Sequence, residues 1–287
     1  FEKHPPVERH TWIEAPFNEN RAVWQHLMGD GVWRIDYQMA PDSDPAEVSR
    51  EDVVRERLQR QFGPDAGIQL VWVGPYAYRS QCLESLRVGR VFFAGDAAKV
   101  VSPFGARGGN TGIADADNLA WKLAAVLRGR AGPALLDSYE DERLEAARQN
   151  VRVTDRTARF LRPVEGIERR LRETVIGLAR HHPFARSLIN TGRMAVANPY
   201  TRSRACESTG GLSVPNAGFR WPDGSRGVLN DLLRWAEGDL LVLVFGDLSA
   251  SAIERLRGLS RHAPLRAVQV LGTDDSAQAL EHVRDPQ

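Results

Sequence analysis

Between Arg90 and Leu127 the chain changes character three times, and that order of changes restricts the fold more than any other feature. Arg90-Val91-Phe92-Phe93-Ala94 is a short apolar run of strand type, and Gly95-Asp96 ends it. A loop rich in Gly and Pro follows from Val100 to Gly109, and a helix then runs from about Thr111 to Leu127. Strand, turn and helix in this order belong to α/β architecture, where ligands bind beyond the carboxyl ends of strands. Asp96 would stand at such an end, where a carboxylate accepts hydrogen bonds from sugar-type hydroxyls. Gly108 and Gly109 allow the backbone to approach a flat ligand closely. A helix start near Thr111 presents unpaired N–H groups and partial positive charge, which favour anions or electron-rich oxygens. The same residues also describe a tight strand-to-helix turn with Asp96 serving as a cap, and spacing alone does not separate the two readings. Along the helix, Ile113, Ala116, Ala120, Leu123, Ala124 and Leu127 form one apolar stripe, with Asp115, Asn118 and Lys122 on another face.

Several other chemistries lack their signatures. The loop is neither Gly-x-Gly-x-x-Gly nor a Walker A, and there is no His-Glu-x-x-His, Cys-x-x-Cys or Gly-x-Ser-x-Gly. His181 and His182 are adjacent and point to different faces in a helix, so no metal site is expected. Lys+Arg (38) and Asp+Glu (37) leave a net charge of +1, which removes the main argument for binding nucleic acid or an anionic membrane. The longest plain apolar run, Leu240 to Phe245, is too short to cross a bilayer as a helix. Residues Phe1 to Pro5 show no apolar signal region, and the missing initiator Met hints at a cut chain. Two cysteines, Cys82 and Cys206, build no disulfide framework, so a cytoplasmic location is expected.

Elsewhere the pattern is mixed. Val32 to Met39 alternates as a half-buried strand does, and Ile68 to Val73 reads as another strand. Pro41 to Pro45 is a break, after which Ser49 is the expected cap of a helix carrying Val53, Val54, Leu58 and Phe62. Residues 137–195 are mostly helical; the nine arginines from Arg143 to Arg172 are interspersed with acids and read as a solvated face. Asn198 to Gly227 resembles a linker, and a strand–helix–strand unit follows (Leu240 to Phe245, Ser249 to Leu259, Leu265 to Leu271).

The block from Arg90 to Leu127 closely resembles the second flavin-contacting motif of the class A FAD-dependent aromatic hydroxylases, the phenol hydroxylase, 3-(3-hydroxyphenyl)propionate hydroxylase and p-hydroxybenzoate hydroxylase group. That pattern is Gly-Asp-Ala-Ala-His, then Pro-x-Gly-x-Gly-x-Asn-x-Gly, then Asp-Ala-x-Asn-Leu-x-Trp-Lys-Leu. Here it reads Gly95-Asp96-Ala97-Ala98-Lys99, Pro103 through Gly112, and Asp115-Ala116-Asp117-Asn118-Leu119-Ala120-Trp121-Lys122-Leu123. Tyr139-Glu140-x-Glu142-Arg143 resembles the family's following helix. Two departures stand out: Lys99 replaces the usual His, and the family's amino-terminal Gly-x-Gly-x-x-Gly and Asp-Gly motifs are absent, as in the carboxyl-side portion of a longer protein.

The resemblance implies an α/β fold: part of an FAD/NAD(P)-binding Rossmann-type domain interwoven with a substrate-binding sheet, plus a partial thioredoxin-like C-terminal module. It divides the chain into a substrate-binding sheet (1–87), an FAD-binding segment (88–130), a helical region (131–200) and the C-terminal module (201–287). It assigns FAD contacts to Gly95, Asp96, Pro103, Gly105, Ala106, Arg107, Gly108, Gly109, Asn110 and Thr111. Asp96 would meet the ribityl chain, and the backbone around Gly108 to Asn110 the flavin pyrimidine edge. Tyr37, Trp72, Tyr76, Tyr78, Arg79 and Gln81 become candidates for the substrate pocket, although each also reads as an ordinary core or surface residue. The implied activity is NADH- or NADPH-driven hydroxylation of a small phenolic substrate with O2, through a flavin C4a-hydroperoxide. The alternatives are a same-fold flavoprotein with non-hydroxylating chemistry and a cofactor-free binding module. A homodimer is compatible with either; nucleic acid and membrane are not expected partners.

Overall fold

The computed structural model describes residues 1–2, 5, 8–77, 79–163, 166–189, 196–207, 210–271 and 282–284. In chain order the elements are β1 (Arg9–Ala15), β2 (Arg21–Leu27), β3 (Trp33–Tyr37), α1 (Pro45–Val48), α2 (Glu51–Phe62), β4 (Gln81–Cys82), β5 (Arg87–Val88), β6 (Val91–Phe92), β7 (Lys99–Val100), α3 (Arg107–Leu127), α4 (Asp137–Leu161), α5 (Ile167–Ala179), α6 (Pro183–Ile189), β8 (Gly218–Arg220), β9 (Arg226–Val228), α7 (Leu229–Trp235), β10 (Leu240–Phe245), α8 (Ala250–Ser260), β11 (Leu265–Leu271) and β12 (His282–Arg284). They form two compact units that the chain enters repeatedly. One comprises residues 1–81, 100–107 and 150–195; the other comprises 82–99, 108–149 and 196–287. Among the described residues no helix is long and apolar enough to cross a membrane.

The first unit holds an antiparallel sheet in the order β1-β2-β3. Ala22 and Val23 of β2 are fully buried. So is Gln25, whose side-chain oxygen accepts a 3.3 Å hydrogen bond from Gln61 of α2. The helical break differs from expectation. Asp44, not Ser49, caps a helix, accepting from the Ala46 amide at 2.9 Å, while Ser49 closes that short helix by donating to the Pro45 carbonyl at 2.6 Å. Ile68 to Val73 is not a strand: the described residues between Pro64 and Ser80 form neither helix nor ladder. A strand-like composition makes no strand without a neighbour to complete its hydrogen-bond ladder. Arg172 of α5 is buried against Glu14 of β1, so the expected solvated arginine face does not extend to it.

Among its described residues the second unit has two apolar cores. Leu86, Ala98, Tyr139 and Leu144 form one, with Phe92, Phe93 and Leu119 against it. Phe219, Leu229, Leu232 and Val268 form the other. The β10–α8–β11 unit is present as expected, with β10 and β11 parallel and paired from Leu240↔Leu265 to Phe245↔Val270. It is larger than a lone strand–helix–strand unit, because β12 pairs antiparallel with β11, and the hairpin β8–β9 and helix α7 precede it.

Asn198 to Arg204, expected as plain linker, is a strap along α4. Asn198 donates to Gln149 at 3.0 Å, Thr201 to Glu145 at 2.6 Å, Ser203 to Glu142 at 2.6 Å and Arg204 to Asp141 at 2.6 Å. The partners run backwards along the helix while the strap runs forwards. Eight residues of helix rise about 12 Å, which an extended strap of this length readily spans.

Candidate functional site

In the second unit the Gly95-Asp96 turn lies against α3 at Gly112. Gly95 has φ +58°, the left-handed region that glycine occupies without a Cβ clash. It meets Gly112 backbone to backbone: a Cβ on Gly112 would stand 3.4 Å from the Gly95 Cα. Asp96 follows Gly95 directly, and Asn110 precedes Gly112 by two positions, so the contact brings carboxylate and helix start together. Asp96, Gly109 and Asn110 are all exposed. The cap reading of Asp96 is not what forms: Asp96 sits inside a single 3-10 turn, Gly95–Ala97, which follows Ala94 and has no side-chain cap.

What holds the turn is Asp115, one helical turn beyond Thr111. Its Oδ2 accepts from the Gly95 amide at 2.9 Å and from the Lys99 ammonium; its Oδ1 accepts from Arg143 Nε at 2.7 Å. Arg143, projecting from α4, also donates to Thr111 Oγ1 at 3.1 Å, to the Thr111 carbonyl at 3.3 Å and to the Tyr200 hydroxyl at 3.0 Å. The side chains of Lys99 and Asp115 are fully buried, and that of Arg143 is nearly so. Burial works against the Arg143 charge, but Tyr200 and Asp115 outweigh it and raise its pKa. A second buried cluster continues down the helix: Glu142 accepts from Lys122 at 2.6 Å, Asn118 at 2.5 Å and Ser203 at 2.6 Å. Burial lowers the pKa of Lys122, with Glu142 opposing. Glu140, in the first turns of α4, accepts from the amides of Leu86 and Arg87 at 2.9 and 2.8 Å, fixing the strand-side segment ahead of the turn.

This inverts the expected faces of α3. Thr111, Asp115, Asn118 and Lys122 are buried, at the 3–4 residue spacing of one helix face, while Ile113 is 70% and Leu127 82% exposed. Ala116 and Ala120 are exposed with them. The spacing signal was present; what it lacked was the knowledge that Arg143 and Glu142 arrive from α4 to neutralise a polar interior. Tyr200 had no signal at all, lying 57 positions from Arg143 in a loop-like stretch.

The loop before α3 belongs to the first unit up to Arg107. Its turn is closed by a 3.1 Å bond from the Ala106 amide to the Pro103 carbonyl, with Gly105 at φ +79° and Ala106 at φ +53°. Phe104 lies 5.7 Å from Trp24 of β2 between ring centroids, and Arg107 donates to Asn150 at 2.6 Å. Pro103, Gly105 and Ala106 are exposed, Arg107 is buried, and Gly108 is half-buried.

The substrate candidates fall in the first unit. Tyr37 is half-buried; its hydroxyl donates to Gln61, Arg57 lies 5.5 Å from its ring centroid, and burial pushes its pKa well up. Trp72 and Tyr76 are 78% and 74% exposed, and Arg79 and Gln81 are exposed as well. Tyr78 lies outside the described residues.

Residues 4–154 match the family model described as an FAD binding domain. Over 106 residues the chain is 49% identical to the tetracenomycin A2 monooxygenase-dioxygenase of Streptomyces glaucescens, covering 35% of this chain and 19% of that protein. It is 35% identical over 257 residues to aklavinone 12-hydroxylase RdmE of Streptomyces purpurascens, covering 83% of this chain and 45% of that protein. Among solved structures, CabE, an aromatic hydroxylase from angucycline biosynthesis, superposes with a TM-score of 0.67 at 26% identity, covering 97% of this chain and 55% of that chain. The chain thus spans between about a fifth and just over half of the length of these relatives.

Proposed function

The chain belongs to the FAD-binding-domain family of the flavin-dependent aromatic hydroxylases, and from that membership we propose that it forms the flavin-holding, substrate-facing part of a monooxygenase acting on a polycyclic phenol. The observation that carries the reading is the exposed Asp96 carboxylate held beside the exposed amide start of α3 by the Gly95–Gly112 contact. Both halves fit FAD. The carboxylate is unburied and free to accept from ribityl hydroxyls, and a bare backbone at Gly109, with nothing within 4 Å of a Cβ built there, admits a flat ring edge.

In this reading Gly95 and Asp96 hold the ribityl chain. The backbone around Gly108, Gly109 and Asn110 faces the pyrimidine edge, and the family resemblance adds Thr111, Pro103, Gly105, Ala106 and Arg107 as further FAD contacts. Bound FAD supplies the redox chemistry, carrying electrons from NADH or NADPH to O2 so that one oxygen atom reaches the ring. The chain's own contribution is electrostatic. The partial positive charge of the α3 start favours the electron-rich, reduced ring over the oxidised one. It costs no reorganisation, because α3 is already anchored through Thr111 and Asp115.

The substrate class is supported by the names of the relatives, which act on tetracenomycin A2 and aklavinone or belong to angucycline biosynthesis. Trp72, Tyr76, Arg79 and Gln81, exposed along one segment, supply the aromatic and polar groups suited to such a ring system. The module 201–287, with no Cys-x-x-Cys, takes a thioredoxin-like structural or interaction role rather than a thiol redox one.

The test is to supply the chain with FAD, NADH or NADPH and a panel of polycyclic phenols, following O2 uptake and product mass. A product heavier by one oxygen atom is expected. Nicotinamide oxidation with no hydroxylated product would favour a different flavin chemistry, and a protein that takes up no flavin would favour a cofactor-free module.

A further inference from the structure

Arg143 stands outside the Gly-Asp motif and the glycine loop, yet it is tied to both halves of the proposed site, to α3 directly and to the Gly95-Asp96 turn through Asp115. Through Nε it reaches Asp115 at 2.7 Å, and Asp115 holds the Gly95 amide at 2.9 Å. Through Nη2 it reaches Thr111 Oγ1 at 3.1 Å and the Thr111 carbonyl at 3.3 Å, gripping the residue that follows Asn110. Its remaining nitrogen, Nη1, donates to Tyr200 at 3.0 Å, and Tyr200 belongs to the strap that leads to the C-terminal module.

We infer that Arg143 is the positioning residue that sets the Asp96 turn and the α3 start in register, and that Tyr200 couples this register to the strap. The inference rests on the flavin reading of the site.

Three features make the guanidinium the right group. Its donors leave a rigid plane in fixed directions, so three partners bonded at once fix one another's positions, which a lysine ammonium at the end of a flexible stem does not do. It is charge-assisted on the Asp115 side, where hydrogen bonds are strongest. It is also buried: with Lys99 and Arg143 both facing Asp115, two cations share one carboxylate away from the surface, where an unpaired charge is costly. The strap adds a consequence. Ser203 bonds Glu142, the residue before Arg143, so two adjacent positions of α4 are tied to the segment that enters the C-terminal module.

Arg143→Lys keeps the charge and removes the fork; Tyr200→Phe removes one hydroxyl. Amide hydrogen exchange of the whole chain without ligand reads the register directly, and FAD titration by fluorescence quenching reads its consequence. In Arg143→Lys, the segments 94–98 and 108–112 should both exchange about tenfold faster, with β10 and β11 unchanged. Tyr200→Phe should accelerate the same two segments by about twofold to threefold. FAD affinity should fall in the same order. Acceleration confined to one segment, spread evenly over the chain, or absent overturns the inference. Should Arg143→Lys fail to fold, Tyr200→Phe decides alone by the same criterion. If both segments loosen together while neither wild type nor variant binds FAD, the positioning geometry stands and the flavin reading is what fails.

Discussion

Gly95 and Gly112 touch through their backbones: a Cβ built on either would lie 4.0 Å or less from the other's Cα. The two glycines have different reasons. Gly95 needs its left-handed φ of +58°, whereas Gly112 sits inside α3 and only approaches closely. Gly95→Ala should therefore cost about 1–2 kcal/mol. Gly112→Ala meets ordinary contact and gains helix propensity, so it should be neutral or stabilising by up to about 1 kcal/mol. Urea unfolding of both variants checks this, and equal losses would contradict the assignment.

The Lys122–Glu142 pair predicts strong coupling. Lys122→Met leaves Glu142 buried with only Asn118 and Ser203 to satisfy it, at a cost of about 3–5 kcal/mol. Replacing both residues with Met should cost less than the sum of the two single changes. A double-mutant cycle measures the difference, and simple additivity would show the pair to be energetically idle.

Ala106 holds a left-handed φ of +53° without being glycine. Ala106→Gly relieves that strain but adds freedom to the unfolded chain. The net expectation is a gain of about 0.5 kcal/mol, visible as a raised unfolding midpoint; a loss would mean that the Ala106 methyl makes a contact that matters more.

Tyr139 predicts the alkaline limb of stability. It is fully buried, donates to the Phe93 carbonyl at 2.7 Å, and burial raises its pKa well above the ordinary 10.0. The unfolded chain then releases this proton at a lower pH than the folded one. Stability is intact below the unfolded pKa and falls as pH rises above it. Melting temperatures followed from roughly pH 8 to 11 should decline, and Tyr139→Phe should flatten that decline.

The order of the turn-and-helix block was readable from sequence because its signals are local, but its bounds were not: the strand is only Val91–Phe92, and α3 begins at Arg107 rather than near Thr111, so Gly108 and Gly109 lie inside the helix. The parallel pair β10–β11 was readable for the same reason. The polar interior was not. Periodicity separates the Thr111–Asp115–Asn118–Lys122 face from the Ile113–Leu127 stripe but does not say which one turns inward. That depends on charges arriving from Arg143 and Glu142, more than 20 positions away. Ile68 to Val73 failed in the opposite sense: its composition suits a strand, but a ladder partner is a property of the fold.

Asp96 is the residue proposed to hold the ribityl chain of FAD. Titrating the chain and its Asp96→Ala variant with FAD, followed by quenching of flavin fluorescence, tests this most directly. Saturable quenching in the wild type, weakened about tenfold or more in the variant by loss of a charge-assisted hydrogen bond, is the predicted result. Equal affinity in the two proteins, or no quenching in either, would contradict it.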